Sequence, residues 1–136
     1  NTLAAALAAT DAGADGLVLV ADHQRAGRGQ YGRTWVSRPG SSLLLSAVLR
    51  PPPELRRPVV LTAWAAVAVA DVVDSVSRVH PRLKWPNDLL VGGKKVCGIL
   101  IEQRTAGAEV TTVAGVGLNL NQSAEEFARV GLPDAT

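Results

Sequence analysis

The chain has 136 residues, 47% of them apolar and 19% charged, an ordinary globular composition that excludes disorder and suffices for one domain with a genuine core. A net charge of +2 without a long basic run leaves no footprint for nucleic acid, so no DNA binding by this chain is expected. A single Cys and two distant His exclude an internal disulfide and a Cys/His metal cluster, and they suit a reducing cytoplasm.

Asn1 is a good N-cap for a helix over 2–12, where Leu3 and Leu7 recur at i, i+4 among alanines before Gly13. Residues 16–21 (GLVLVA) have no polar alternation and predict a strand covered on both faces. The next segment, 22–37 (DHQRAGRGQYGRTWVS), holds Gly27, Gly29 and Gly32 with Arg25, Arg28 and Arg33. Its letters satisfy G-x-G-x-x-G, but a dinucleotide site needs a helix to begin within the motif, whereas Trp35-Val36-Ser37 and Pro39-Gly40 predict strand and turn. What remains is a loop whose backbone N–H groups can converge on an anion, with Arg28 and Arg33 as forked donors; the alternative is a flexible surface loop.

Residues 42–50 predict a strand that stops at Pro51-Pro52-Pro53. Pro58 suits the first turn of a helix to about Val76, with Leu61, Ala65, Ala68, Val72 and Val76 at helical spacing and Trp64 packed alongside. The apolar run 59–70, about 12 residues, is too short to span a bilayer, and no signal peptide precedes it. His80, alone in a loop, reads as structural.

The stretch 84–102 (KWPNDLLVGGKKVCGILIE) organises the rest. Pro86 disfavours helix at Trp85, and Asn87-Asp88 is a turn-former that hydrogen-bonds local backbone. Leu89-Leu90-Val91 then predicts a short strand, Gly92-Gly93 a two-residue connection and 95–102 the returning strand. Alternation puts Lys95, Cys97, Ile99 and Ile101 on one face, and Val96, Gly98, Leu100 and Glu102 on the other. On a mostly apolar face, Lys95 either snorkels to water or faces an anion. Lys94 points the opposite way as ordinary surface charge.

A polar turn at 105–108 separates this hairpin from a strand over 109–120, in which Gly115 and Gly117 suggest close approach of backbone or ligand. Asn119 and Asn121 follow at its end, suited either to a purine edge or to capping the next turn. Ser123 with Glu126 forms a capping box for a helix to about Val130.

Taken together, these segments resemble the catalytic domain of biotin–protein ligases over nearly the whole chain. GRGQYGRTWVS at 27–37 is similar to that family's glycine-arginine loop, KWPNDLLVGGKKVCGILIE to its Lys-Trp-Pro-Asn-Asp motif with the following lysine, and VAGVGLNLN at 113–121 to a third signature. The resemblance implies an α+β fold with a mixed β-sheet flanked by helices, related to class II aminoacyl-tRNA synthetases. One catalytic domain would occupy 1–136. It also implies a two-step ligase reaction with biotin, ATP and Mg²⁺, in which biotinyl-5′-adenylate forms and then biotinylates a lysine of a biotin carboxyl carrier protein domain.

On this chain the resemblance implies catalytic roles for Lys95, Arg28 and Asp88. Biotin would be held by Asn1, Gln24, Gly27, Arg28, Gly29, Gln30, Trp35 and Lys95, and the nucleotide by Arg28, Arg33, Lys95 and Asn119; no residue identifies itself as a metal ligand. Gln30 stands where many members have a second Arg, so weaker retention of the adenylate is expected. The Ser/Thr pair that the family places before the Asn matching Asn1 is not in this chain. Nor are the small C-terminal barrel and the helix-turn-helix of repressor members. Together with an Asn rather than Met start, this predicts a piece of a longer protein, incomplete at both ends. The alternatives are a lipoate–protein ligase of the same fold and a non-catalytic biotin-sensing module of a repressor. No membrane partner is expected, and a homodimer is compatible.

Overall fold

The computed structural model describes residues 1–11, 13–129, 131, 132 and 135. Six strands, β1 (Val18–Ala21), β2 (Ser42–Leu49), β3 (Arg82–Lys84), β4 (Asp88–Val91), β5 (Lys94–Ala106) and β6 (Glu109–Asn119), form one sheet in the order β1-β2-β6-β5-β4-β3. Neighbouring strands pair antiparallel throughout, and a parallel bridge joins Lys95 to Ala135. The expected α+β class holds, with helices α1 (Thr2–Thr10) and α2 (Pro58–Ser77) on opposite faces and α3 (Ala124–Arg129) after the last strand.

The two faces follow from register. Val116 and Leu118 of β6 stand beside Ile99 and Cys97 of β5, and with Leu89 and Val96 they pack under Ala65 and Ala66 of α2. The opposite face carries Val48 and Val113 against Ala4, Ala5 and Ala8 of α1, and then runs into glycines: Gly98 is paired with Gly117, and Gly115 lies two residues along β6. Where side chains are missing from that face, the sheet is left as an open floor.

Several expectations change. Alternation put Lys95 with Cys97, Ile99 and Ile101; the pairing instead shifts between Leu89, opposite Cys97, and Leu90, opposite Lys95, so that Val96 is an extra residue. This bulge re-phases the strand. Val96 and Cys97 both enter the core, and Lys95 passes to the face of Gly98, where its Nζ is 3.3 Å from the position a Cβ would take. The connection at Gly92 (φ 57) and Gly93 (φ 83) is the two-residue turn expected, because both residues need the left-handed region.

β1 is not covered on both faces: it is the edge strand, with Val18 and Val20 exposed and Leu17 and Leu19 packed against the α1 core. α1 buries Ala4, Ala5 and Ala8 and exposes Leu3 and Leu7, since only small side chains allow so close an approach to the sheet. Asn1 precedes α1 without capping it by side chain, because its amide is spent on other elements.

α2 turns Leu61, Thr62, Ala65 and Ala66 inward, but beyond them the stripe is Val69 and Ala70; Ala68, Val72 and Val76 face out, and Trp64 is 59% exposed rather than packed. The 20-residue helix is also longer than the apolar run suggested and is long and apolar enough to cross a membrane, although its inner face lies on the sheet. Residues 35–37 form no strand; the segment is tied by a bridge between Arg28 and Thr34 just before it and by the bond from Trp35 N–H to Gly27 O. β3, at 82–84, pairs antiparallel with β4, a strand for which the sequence carries no expectation. Asn87 bonds across the hairpin rather than locally, its Nδ2 donating to Ile99 O at 3.0 Å. The predicted end of α1 at Ala12 and of α3 at Val130 lie outside the described residues.

Candidate functional site

Each wall of the site comes from an element whose local sequence dictates it. The floor is the glycine trench of β5 and β6. A Cβ on Gly117 would lie 2.5 Å from Cε2 of Trp35 and one on Gly98 2.8 Å from Cζ3, so the indole rests flat on the strands because both positions lack a side chain. A Cβ on Gly115 would strike the Asn1 amide in the same way. The close approach expected at Gly115 and Gly117 is thus made by two side chains of this chain.

Over the floor lies the glycine-arginine loop, closed on itself: Gly29 N–H donates to Arg33 O at 2.7 Å and Trp35 N–H to Gly27 O at 3.0 Å. A Cβ on Gly27 would run into Trp35 O, so this turn admits only glycine there. Tyr31 sits at the tip with φ 57, a left-handed conformation few residues of its size adopt, and its ring is exposed. From the loop, Arg28 Nη2 reaches back to Glu102 of β5 at 3.0 Å and to Thr2 Oγ1 at 3.2 Å. Asn1 Nδ2 donates to the same carboxylate at 2.8 Å and its Oδ1 accepts from Ser46 Oγ at 2.8 Å, joining α1, β2, β5 and the loop in one polar cluster.

The hairpin supplies the opposite wall. Lys95 Nζ is 2.6 Å from Asp88 Oδ1 and 5.7 Å from the centroid of the Trp35 ring, so a partly buried ammonium is shared between a carboxylate and an aromatic face. Trp35 Nε1 is buried without a hydrogen-bond partner, a donor aimed at no protein acceptor. Asn119, at the end of β6, donates to Lys95 O at 3.4 Å.

A cavity of about 680 Å³ is bounded by these groups, a volume suited to a drug-sized ligand. Asn1, Gln24, Arg28, Gly29, Gln30, Arg33, Trp35, Asp88, Lys95 and Asn119 all line it, residues separated by most of the chain. Gly27 does not; it lines a neighbouring cleft between the loop and β5. Glu102 is the residue that sequence reasoning left without a role: it was assigned to the face of Gly98 and Leu100, and a carboxylate on that otherwise apolar face was the available signal. Asn121 does not line the cavity, and His80 stays outside, paired with Asp74 on the surface. Cys97 lies beneath the floor, its thiol pushed up to about 12 by burial. No group of three or more metal-ligating side chains occurs among the described residues.

Comparison with known proteins gives a consistent result. The model of the Biotin/lipoate A/B protein ligase family matches residues 7–120. The chain is 42% identical over 138 residues to the biotin–[acetyl-CoA-carboxylase] ligase of Mycobacterium tuberculosis, covering 96% of this chain and 48% of that protein. It is 40% identical over 114 residues to the bifunctional ligase/repressor BirA of Bacillus subtilis, covering 83% of this chain and 35% of that protein. Among solved structures, the biotin protein ligase of Aquifex aeolicus in complex with biotin and ATP superimposes with a TM-score of 0.69 at 32% identity, over 88% of this chain and 47% of that one. The Leishmania major biotin protein ligase in complex with biotin gives 0.71 at 25%, over 97% and 62%. The chain therefore spans between about a third and a half of the length of these two sequence relatives.

Proposed function

The chain belongs to the biotin/lipoate A/B protein ligase family, and from that membership we propose that it carries the catalytic site of a biotin–protein ligase, which joins biotin to ATP as biotinyl-5′-adenylate and passes it to a lysine of a biotin carboxyl carrier protein. The observation that carries this reading is the convergence of two cations, Arg28 from the loop and Lys95 from the hairpin, on one cavity. Support for the ligands comes from relatives whose structures hold biotin and ATP, or biotin alone.

The first step brings a carboxylate onto a phosphate, two anions that repel, so positive charge between them is the main requirement. Lys95 supplies it. A unit charge about 4 Å from the reacting atoms is worth roughly 4 kcal/mol at an effective dielectric of about 20. That ammonium is held by Asp88, which orients it; as Lys95 turns to the incoming anions, Asp88 is left facing the position of the acceptor amine. That amine, with an ordinary pKa of about 10.4, must shed a proton before it attacks the mixed anhydride and expels AMP, and Asp88 is the carboxylate poised to receive it. Gln24 offers an amide to the ureido end of biotin, Trp35 a flat wall, and Asn119 with Arg33 the nucleotide side. Mg²⁺ would arrive on the ATP phosphates; Asp88 and Glu102 are both engaged with cations, so no step is assigned to a protein-held metal.

Biotin-stimulated exchange of pyrophosphate into ATP is the deciding experiment. Exchange with biotin and none with lipoate supports the proposal; stimulation by lipoate alone would make the chain a lipoate ligase of the same fold. A carrier domain that becomes labelled in the same mixture supports the second step.

A further inference from the structure

Lys84 lines the same cavity as Lys95, Arg28 and Arg33. It belongs to β3, the short edge strand, and stands directly opposite Asp88 of β4; residues so paired in an antiparallel ladder project to one face of the sheet. Leu83, the residue before it, is opposite Leu89 and so is turned to the α2 side. Lys84 is thereby on the ligand side, with Asp88 between it and Lys95.

The two lysines differ in what they meet. Asp88 holds Lys95 Nζ at 2.6 Å, whereas Lys84 is exposed and has no ion-pair partner among the described residues. Two strand spacings, about 10 Å, separate the backbones of β3 and β5. Each ammonium rides on a flexible four-carbon stem, so the two can bind successive phosphates of one chain. In adenylate formation a biotin carboxylate oxygen bonds to the α-phosphorus of ATP, and the bond from that phosphorus to the β-phosphate oxygen breaks with its electron pair leaving on pyrophosphate. Charge moves from the α-phosphate, beside Lys95, onto a group further along, and a cation next in line stabilises it as it departs.

We propose that Lys84 binds the β- and γ-phosphates of ATP and the pyrophosphate they become. The assignment deepens the ligase reading and rests on it for the nucleotide, whereas affinity for pyrophosphate itself does not depend on biotin. Arg82, two residues earlier, shares the face but does not line the cavity, so it lies outside this site.

The test uses the whole chain carrying Lys84→Gln, an exposed change on an edge strand that leaves the core intact. In biotin-dependent exchange, KM for pyrophosphate is expected to rise about tenfold, the loss of one charged hydrogen bond, while calorimetry finds biotin affinity kept. Lys84→Arg recovers most of the loss. Arg82→Gln removes the same charge from the same face outside the cavity and changes KM by less than about twofold, as a screened surface charge should. Transfer to a carrier lysine from supplied biotinyl-5′-adenylate is measured next. There Lys84→Gln is expected to match wild type within about twofold, the error of an exposed substitution, because pyrophosphate takes no part in that step.

An unchanged KM for pyrophosphate in Lys84→Gln overturns the assignment. An equal rise in Arg82→Gln also overturns it, since the effect then belongs to the general field of the strand. Slowed transfer from supplied adenylate with exchange intact overturns it too, and gives Lys84 to the carrier protein. Titration with inorganic pyrophosphate alone separates this site from the ligase reading. Weaker binding by Lys84→Gln, in a protein without biotin-dependent exchange, leaves the phosphate site standing and removes the biotin reading; equal binding by variant and wild type overturns the site.

Discussion

Lys95 shows how much one side chain depends on its strand. Its ammonium reaches the cavity only because the bulge at Val96 re-phases β5, and it stays there between Asp88 and the Trp35 ring. Lys95→Ala is expected to lower biotin-dependent pyrophosphate exchange about a thousandfold, the equivalent of roughly 4 kcal/mol, while calorimetry finds biotin affinity largely kept. Unchanged exchange would remove the assigned role. Gly117 is the second such residue. A methyl there would overlap the indole, so Gly117→Ala should cost about 1–3 kcal/mol in chemical denaturation and weaken biotin binding as the wall is displaced. Cys97 is the third. With its thiol pushed up to about 12 by burial, it should resist alkylation at pH 8 in the folded chain and react once the chain is unfolded. The folded state holds that proton where the unfolded state has lost it, so this contribution to stability is complete below about pH 9 and falls as pH rises toward 12.

Among the elements, α2 and α3 carry the clearest lessons. In α2, Ala66 is 1% exposed beneath the sheet and Trp64 is 59% exposed on the outer face. Ala66→Leu should therefore overpack the interface with Leu89 and Ile99 and cost about 1–3 kcal/mol, whereas Trp64→Ser should shift the unfolding midpoint little, within about 0.5 kcal/mol. α3 depends on its capping box: Ser123 N–H donates to Glu126 Oε2 at 2.8 Å and Glu126 N–H to Ser123 Oγ at 3.3 Å. That bond from the Ser123 backbone, helped by Arg38, holds the Glu126 carboxyl below the usual range. The unfolded state takes up the proton first as pH falls, so the cap is complete above the ordinary glutamate range and lost below it. Amide exchange at Glu126 and Phe127 should accelerate on acidification through that range, and Glu126→Gln should flatten the dependence.

At the scale of the whole molecule, the sheet is a partition: α2 covers β4, β5 and β6 on one face, and the other is left open by Gly98, Gly115 and Gly117 for a loop, an indole and a ligand. A ligand that fills the cavity binds only the folded chain. Biotin at about 100 times its dissociation constant should therefore add about 2.7 kcal/mol and raise the melting temperature by several degrees. No shift at saturating biotin would count against the ligand assignment.

The sequence by itself determined the elements and their punctuation. Pro58 starts α2, Gly92-Gly93 turns the hairpin and Ser123 with Glu126 caps α3, because these signals are local and act through φ, a missing N–H or a short side-chain bond. It also pointed to ten of the residues that line the cavity, most of them within three motifs rich in glycine, arginine and lysine. Tertiary structure alone decided which face Lys95 takes, which carboxylate each cation meets, and that β1 is an edge. Those outcomes depend on strand register and on partners as far as 74 residues away, for which no periodicity in the letters carries a signal.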